Sequence, residues 1–126
     1  ELVKRENRRG ISMAHIILAG FSQGGAIVLH SALRMEEPPA GVLALSTYLP
    51  LANTLAAEKR APGQELEIRM DHGNRDPVVP LPLAQRSCER LESEGYSVDF
   101  NVFPMEHSLC LDQADSLRQW FAERLA

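Results

Sequence analysis

The stretch HIILAGFSQGG, residues 15–25, decides the architecture of this 126-residue chain. Its first six residues, 15–20, are a short apolar run that reads as a buried strand. Their hydrophobicity is continuous rather than alternating, which suits a parallel sheet covered on both faces. Residues 24–34 read as a helix that is apolar nearly all round and is ended by Pro38 and Pro39. Between the two, Gly20, Phe21, Ser22, Gln23 and Gly24 fit G-x-S-x-G, and Gly25 follows. A glycine-rich turn with Ser22 as an ordinary helix cap gives the same letters. The specific part is the setting, an apolar strand before and an apolar helix after. A serine at such a tight turn sits in strained backbone, and small neighbours at Gly20 and Gly24 are expected to let strand and helix approach. The turn lifts the hydroxyl out of the sheet, and the first helical N–H groups point at any developing negative charge.

Outward from this point the chain alternates. Residues 1–9 are polar, charged helix formers stopped by Gly10, and Lys4, Arg5, Arg8 and Arg9 interleave with Glu1 and Glu6 as a solvated face. GVLALS, 41–46, is a second buried strand, and 47–63 has room for a short helix. ELEIRM, 65–70, is a third strand, with Leu66 and Ile68 alternating against charge, and it runs into the turn chemistry of DHGNRDPVVP. A helix over 81–94 carries the stripe Leu81, Ala84, Cys88 and Leu91, and Gly95 ends it. SVDFNVF, 97–103, is a fourth strand with Val98, Phe100 and Val102 on one face. After a loop over 104–111, Asp112 is expected to cap a last helix, 112–125, that buries Ala114, Leu117, Phe121 and Leu125. Strands alternating with helices predict an α/β fold with a mostly parallel sheet, helices on both faces, and chemistry beyond the carboxyl ends of the strands.

Composition narrows the partners. The length suggests a single domain over residues 1–126, and 44% apolar residues suffice for a core. A net charge of -4, from 17 acidic and 13 basic residues, argues against a nucleic-acid groove. No stretch is apolar for long enough to span a membrane, and the opening lacks the apolar segment of a signal peptide. Cys88 and Cys110 form no CxxC pair and fit a reducing, cytoplasmic setting.

A serine needs a base. His15 starts the strand and lies at the wrong end of the sheet, and His30 is two turns into the helix. His72, at the end of the third strand, reads as structural. His107, in the loop after the fourth strand, can swing over the sheet edge. For the orienting carboxylate, Asp76 lies in the turn after the third strand, although Asp76-Pro77 is also ordinary turn sequence. The rivals are Asp71, a strand terminator, Asp99, mid-strand, and Asp112, the expected cap. The chain order is then serine, acid, histidine, which neither chymotrypsin nor subtilisin has. Asp71, His72, Asp76 and His107 approach one sheet edge, but their spacing matches no metal motif, and no metal is expected.

GFSQGGAIVLHSAL, GVLALSTYLP, DHGNRDPVVP and FPMEH before an amphipathic helix together resemble the bacterial carboxylesterase / acyl-protein thioesterase family of α/β-hydrolases. The resemblance covers about residues 11–126. It implies hydrolysis of short or medium acyl esters or thioesters, small-molecule substrates, without a cofactor. The family's serine, aspartate and histidine fall on Ser22, Asp76 and His107. It also implies that the Gln23 N–H serves the oxyanion hole and that the segment Ser46–Tyr48 lies near the acyl pocket, with Tyr48 on the substrate. Glu106 departs from the glycine usual before the histidine. No HG-type loop precedes Ser22 to give a second oxyanion donor. The chain therefore reads as the C-terminal half of a hydrolase domain, with the first strand's edge covered by a missing N-terminal half, a separate chain or another copy. The competing reading is a barely active half-domain that binds a partner or self-associates.

Overall fold

The computed structural model describes residues 1–59 and 66–126. Its elements in chain order are α1 (Leu2–Arg8), β1 (Ile17–Phe21), α2 (Gln23–Ala32), β2 (Gly41–Leu45), α3 (Leu55–Glu58), β3 (Ile68–Gly73), α4 (Leu81–Ser93), β4 (Val98–Phe103) and α5 (Leu111–Leu125). Among the described residues the strands form one sheet in the order β1-β2-β3-β4, every neighbouring pair parallel. This is the α/β-hydrolase arrangement of a parallel sheet flanked by helices.

Strand alternation sorts the core into two layers. Val42 and Ala44 of β2 and Ile68 and Met70 of β3 pack with Leu29 and Leu33 of α2 and its end, Leu55 of α3, and Cys88 and Leu91 of α4. Leu43 and Leu45 point the other way and meet Trp120 of α5, with Leu117 and Phe121 beside it. Helices thus lie on both faces. A monotonic strand order with crossovers of one hand puts α2, α3 and α4 together, and α5 takes the opposite face. Burial, with the Glu92 carboxylate nearby, pushes the Cys88 thiol up to about 12, so it sits in the core as an un-ionised small apolar group.

Several sequence expectations are corrected. His15 belongs to a 3-10 turn, Met13–His15, and bonds Ser12, so β1 starts at Ile17. β1 is not covered on both faces: Ala19 and Phe21 are exposed, whereas β2 and β3 are buried throughout. The third strand begins at Ile68 and absorbs Asp71, His72 and Gly73 rather than ending in a turn there; Glu65 lies outside the described residues, as do Pro62 and Gly63 of the preceding segment. Of the charges alternating with Leu66 and Ile68, Glu67 is exposed just before the strand, whereas Arg69 is buried and paired with Asp71. Val102, expected inside, is exposed. Helix α5 starts at Leu111 with Cys110, not Asp112, at its N-cap, and its buried residues are Gln113 and Trp120. Ala114 and Leu125 are exposed, and only Leu117 and Phe121 of the expected stripe reach the core. The α1 face is solvated as its interleaved charges required: the helix buries no residue, and Arg5–Glu6, Arg8–Glu1 and Arg9–Glu6 pair at 3.3, 3.5 and 3.4 Å.

Candidate active site

Ser22 stands between β1 and α2 with φ 55° and ψ −120°. Left-handed φ in a non-glycine residue costs on the order of 1–3 kcal/mol and persists only where the surroundings enforce it. The enforcement starts at Gly20, where a Cβ would collide with the backbone of Gly24 and Gly25. Gly25 is pressed as closely: a Cβ there would lie 2.6 Å from Thr47 Cγ2 and 3.0 Å from the Gly20 carbonyl oxygen. Gly24, in contrast, has nothing within 4 Å of its Cβ position. The close approach therefore requires bare Cα positions at Gly20 and Gly25, whereas Gly24 contributes its backbone to the contact and does not need to be glycine for space.

Three strand ends bring the candidate residues together. The His107 ring places Nε2 3.0 Å from Ser22 Oγ and Nδ1 2.7 Å from Asp76 Oδ2. The ring also lies 4.8 Å from the Phe21 ring, tilted by 48°. Asp76 is buried, and its other oxygen, Oδ1, accepts the backbone N–H groups of Val78 and Val79 at 2.8 Å each. Burial pushes the Asp76 carboxyl up, but the hydrogen bonds from His107, Val79 and Val78 outweigh it and hold the group below its ordinary value. With Nδ1–H donated to this carboxylate, Nε2 is left to accept the serine proton.

The acid loop and the base loop are stitched to each other. Asn74 N–H donates to the Phe103 carbonyl at 3.0 Å and Arg75 N–H to the Met105 carbonyl at 3.1 Å. Gly73 is required between them, because a Cβ there would strike the carbonyl oxygens of Met105 and Glu106. Glu106 itself is exposed. His72 is structural as read: buried, it donates Nε2–H to the Val79 carbonyl at 2.7 Å and lies 3.5 Å from Asp76 Oδ2, bracing the acid turn. His15 and His30 stay away from the serine, one bonded to Ser12 and the other in the last turn of α2.

Of the rival carboxylates, Asp99 and Asp112 are exposed and Asp71 is occupied elsewhere. Asp71 faces α5, taking Arg69 in a forked pair at 2.9 and 3.1 Å, Asn101 at 3.2 Å and Gln113 at 3.1 Å. Adjacent strand residues point to opposite faces, so Asp71 and His72 do not converge on one ligand position. Gln23 is the first residue of α2, where backbone N–H groups have no intrahelical partner. Beside it a cleft of about 300 Å³ is lined by Gln23, Ala26, Ile27, His30, Tyr48, Pro50 and Leu51. Tyr48 and Gln23 thus border one cavity. Two contacts are missed by sequence reasoning: Phe21 against the imidazole, and Thr47, whose Oγ1 donates to the Ser22 carbonyl at 2.6 Å across 25 residues. Neither contact has a local sequence signal.

Residues 1–123 match the phospholipase/carboxylesterase family. Acyl-protein thioesterase 1 of Neurospora crassa is 39% identical over 128 residues, covering 99% of this chain and 52% of that protein. The structure of Arabidopsis thaliana SOBER1 superposes with a TM-score of 0.91 at 24% identity, over 99% of this chain and 60% of that one. That of esterase PE8 gives 0.86 at 26% identity, over 98% and 57%. The sequence likeness extends to fungal proteins, so it holds for the family as a whole and is not specific to a bacterial branch. The chain spans about half the length of the relatives it matches.

Proposed function

Because the chain belongs to the phospholipase/carboxylesterase family, we propose that it carries the reacting half of a serine hydrolase acting on small carboxylic esters or acyl thioesters of short to medium chain. The observation that carries this is the continuous Ser22–His107–Asp76 relay, at 3.0 and 2.7 Å, on a strained strand-to-helix turn.

In this reading His107 Nε2 takes the hydroxyl proton as Ser22 Oγ attacks the acyl carbonyl. The tetrahedral oxyanion is held by the Gln23 N–H at the positive end of α2. Collapse breaks the bond to the alcohol or thiol, which leaves with the proton from His107. Water then attacks the acyl-enzyme, giving its proton to His107, and the carboxylic acid departs as Ser22 regains its hydrogen. Asp76 keeps the ring in the Nδ1–H tautomer and supports the imidazolium. The acyl chain lies in the cleft beside Tyr48 and Gln23. Protein groups and water suffice for each step, so no cofactor is called for. Both cysteines are free thiols, which suits a reducing, cytoplasmic setting.

We further read the chain as the C-terminal half of a hydrolase domain, with additional strands beside β1 and a second oxyanion donor coming from outside these residues. Support comes from β1, which among the described residues pairs only with β2, and from the half-length coverage of relatives. Pairing of β1 with a second copy is the other arrangement. The same open edge favours one competing reading, a half-domain that binds a partner without turnover.

The test is hydrolysis of p-nitrophenyl acetate and butyrate by wild type and Ser22→Ala. The proposal expects the variant to lose nearly all the rate, and equal rates would refute it.

A further inference from the structure

We propose that Thr47 is a positioning residue that holds the serine turn in its strained conformation from the end of β2. This rests on the reading of Ser22 as the nucleophile.

Both backbone groups of Ser22 are gripped by the same short segment. Its N–H donates to the Leu45 carbonyl at 2.8 Å, and its carbonyl accepts Thr47 Oγ1–H at 2.6 Å, alongside the helical bond from Ala26 N–H at 3.1 Å. The peptide following Ser22 sets the direction of the Gln23 N–H. A grip on the Ser22 carbonyl therefore fixes the hydroxyl and the oxyanion donor together. Thr47 is itself immobilised. It is 1% exposed, and its Cγ2 lies flush against Gly25. The residue before it, Ser46, has φ 51° and donates its N–H to the Asp71 carbonyl at 2.9 Å. β2 thus leaves the sheet by a sharp, bonded bend that delivers the Thr47 side chain to the turn. A small residue at Gly25 and a β-branched one at Thr47 fit as a pair, with the methyl filling the space the missing Cβ leaves.

The two arms of Thr47 can be separated. Thr47→Val keeps the branched shape but removes the donor and puts a methyl group where a hydroxyl stood 2.6 Å from an oxygen, so the carbonyl must move away. Thr47→Ser keeps the donor and drops the methyl. The experiment measures kcat and KM for p-nitrophenyl butyrate in wild type and both variants, with the Ser22 carbonyl carbon followed by NMR. Thr47→Val is expected to lower kcat by about tenfold or more with KM nearly unchanged and to shift the Ser22 carbonyl resonance. Thr47→Ser is expected to restore both. Wild-type kcat in Thr47→Val, or an equal loss in Thr47→Ser, would overturn the proposal. If wild type itself shows no Ser22-dependent turnover, the nucleophile reading fails. The carbonyl resonance then still decides on Thr47, and an unmoved signal in Thr47→Val refutes its hold on the turn.

Discussion

Ser22 is held in an unfavourable backbone conformation so that its hydroxyl meets His107, and the neighbouring glycines divide that task unequally. Gly20→Ala and Gly25→Ala should unseat the turn, since each new Cβ meets backbone or the buried Thr47 side chain. Gly24→Ala should fold normally and gain up to about 1 kcal/mol from helix propensity, because its Cβ enters open space. Thermal melts of the three variants check this, and a Gly24→Ala protein as damaged as Gly20→Ala would contradict it. The carboxylate makes a second residue-scale prediction. Asp76→Asn leaves the ring without its anionic partner and should lower kcat by about 10⁴-fold, as the equivalent change does in a serine protease. Steady-state kinetics measure it, and a loss under about tenfold would remove Asp76 from the relay. The same group ties stability to pH. Its folded carboxyl is held below the ordinary value, so its stabilising contribution is complete above the unfolded value near pH 4 and is lost as pH falls through the lower folded one. Urea midpoints between about pH 5 and 3 should therefore fall more steeply in wild type than in Asp76→Asn. Parallel curves would contradict the assignment. The convergence of Ser22, Asp76 and His107 is legible at this scale because each lies at a strand end in a distinctive order. The roles of Gly25 and Thr47 were not, because they arise where β2 crosses the turn and leave no periodic trace.

Between elements, α5 is seated by a polar cluster at its start in addition to the apolar one around Trp120. Arg69, Asp71 and Gln113 are almost completely buried, Asn101 joins from β4, and the Arg69 guanidinium also reaches the Ser116 carbonyl at 3.4 Å. Gln113 turns back to accept the Cys110 N–H at 3.2 Å, which fixes the start of α5 just after the loop that carries His107. Asp71→Ala would leave Arg69 buried and unpaired, a loss of about 3–5 kcal/mol. Asp112→Ala, on the exposed side of the same first turn, should stay within about 0.5 kcal/mol. Urea denaturation of the pair measures the contrast, and equal effects would show that the buried cluster does not seat the helix. This cluster also explains why the sequence misled at this scale. The alternation of charge with Leu66 and Ile68 gives no sign that Arg69 and Asp71 satisfy each other inside while Glu67 stays exposed. In α5 an apolar stripe at helical spacing pointed to Ala114 and Leu125, but the polar Gln113 took the inward position because Asp71 supplied its partner. β2 and α4 carry no such buried charges, and apolar spacing gives their spans to within a residue; in α4 it finds Ala84, Cys88 and Leu91, while Leu81 is only half-buried and the buried Ser87 is missed.

Among the described residues the molecule is a parallel sheet with Ser22, Asp76 and His107 gathered at its carboxyl end and an open side at β1. Among the described residues β1 is paired on one edge only, an open edge invites another strand, and β1 carries no charged residue to prevent it. The 126-residue chain on its own should therefore self-associate. Light scattering is expected to give more than the 14.0 kDa of one chain, and a monodisperse, cooperatively melting monomer would show that the β1 edge is adequately protected. The central claim, that the carboxyl end of the sheet holds a reactive serine, is independent of how β1 is covered. Its most direct test is covalent labelling of the folded chain with a fluorophosphonate, followed by peptide mapping. The account predicts one adduct, on Ser22, absent from Ser22→Ala and strongly slowed in Asp76→Asn. A well-folded protein that takes no label at Ser22, or labels at the same rate without Asp76, would contradict it.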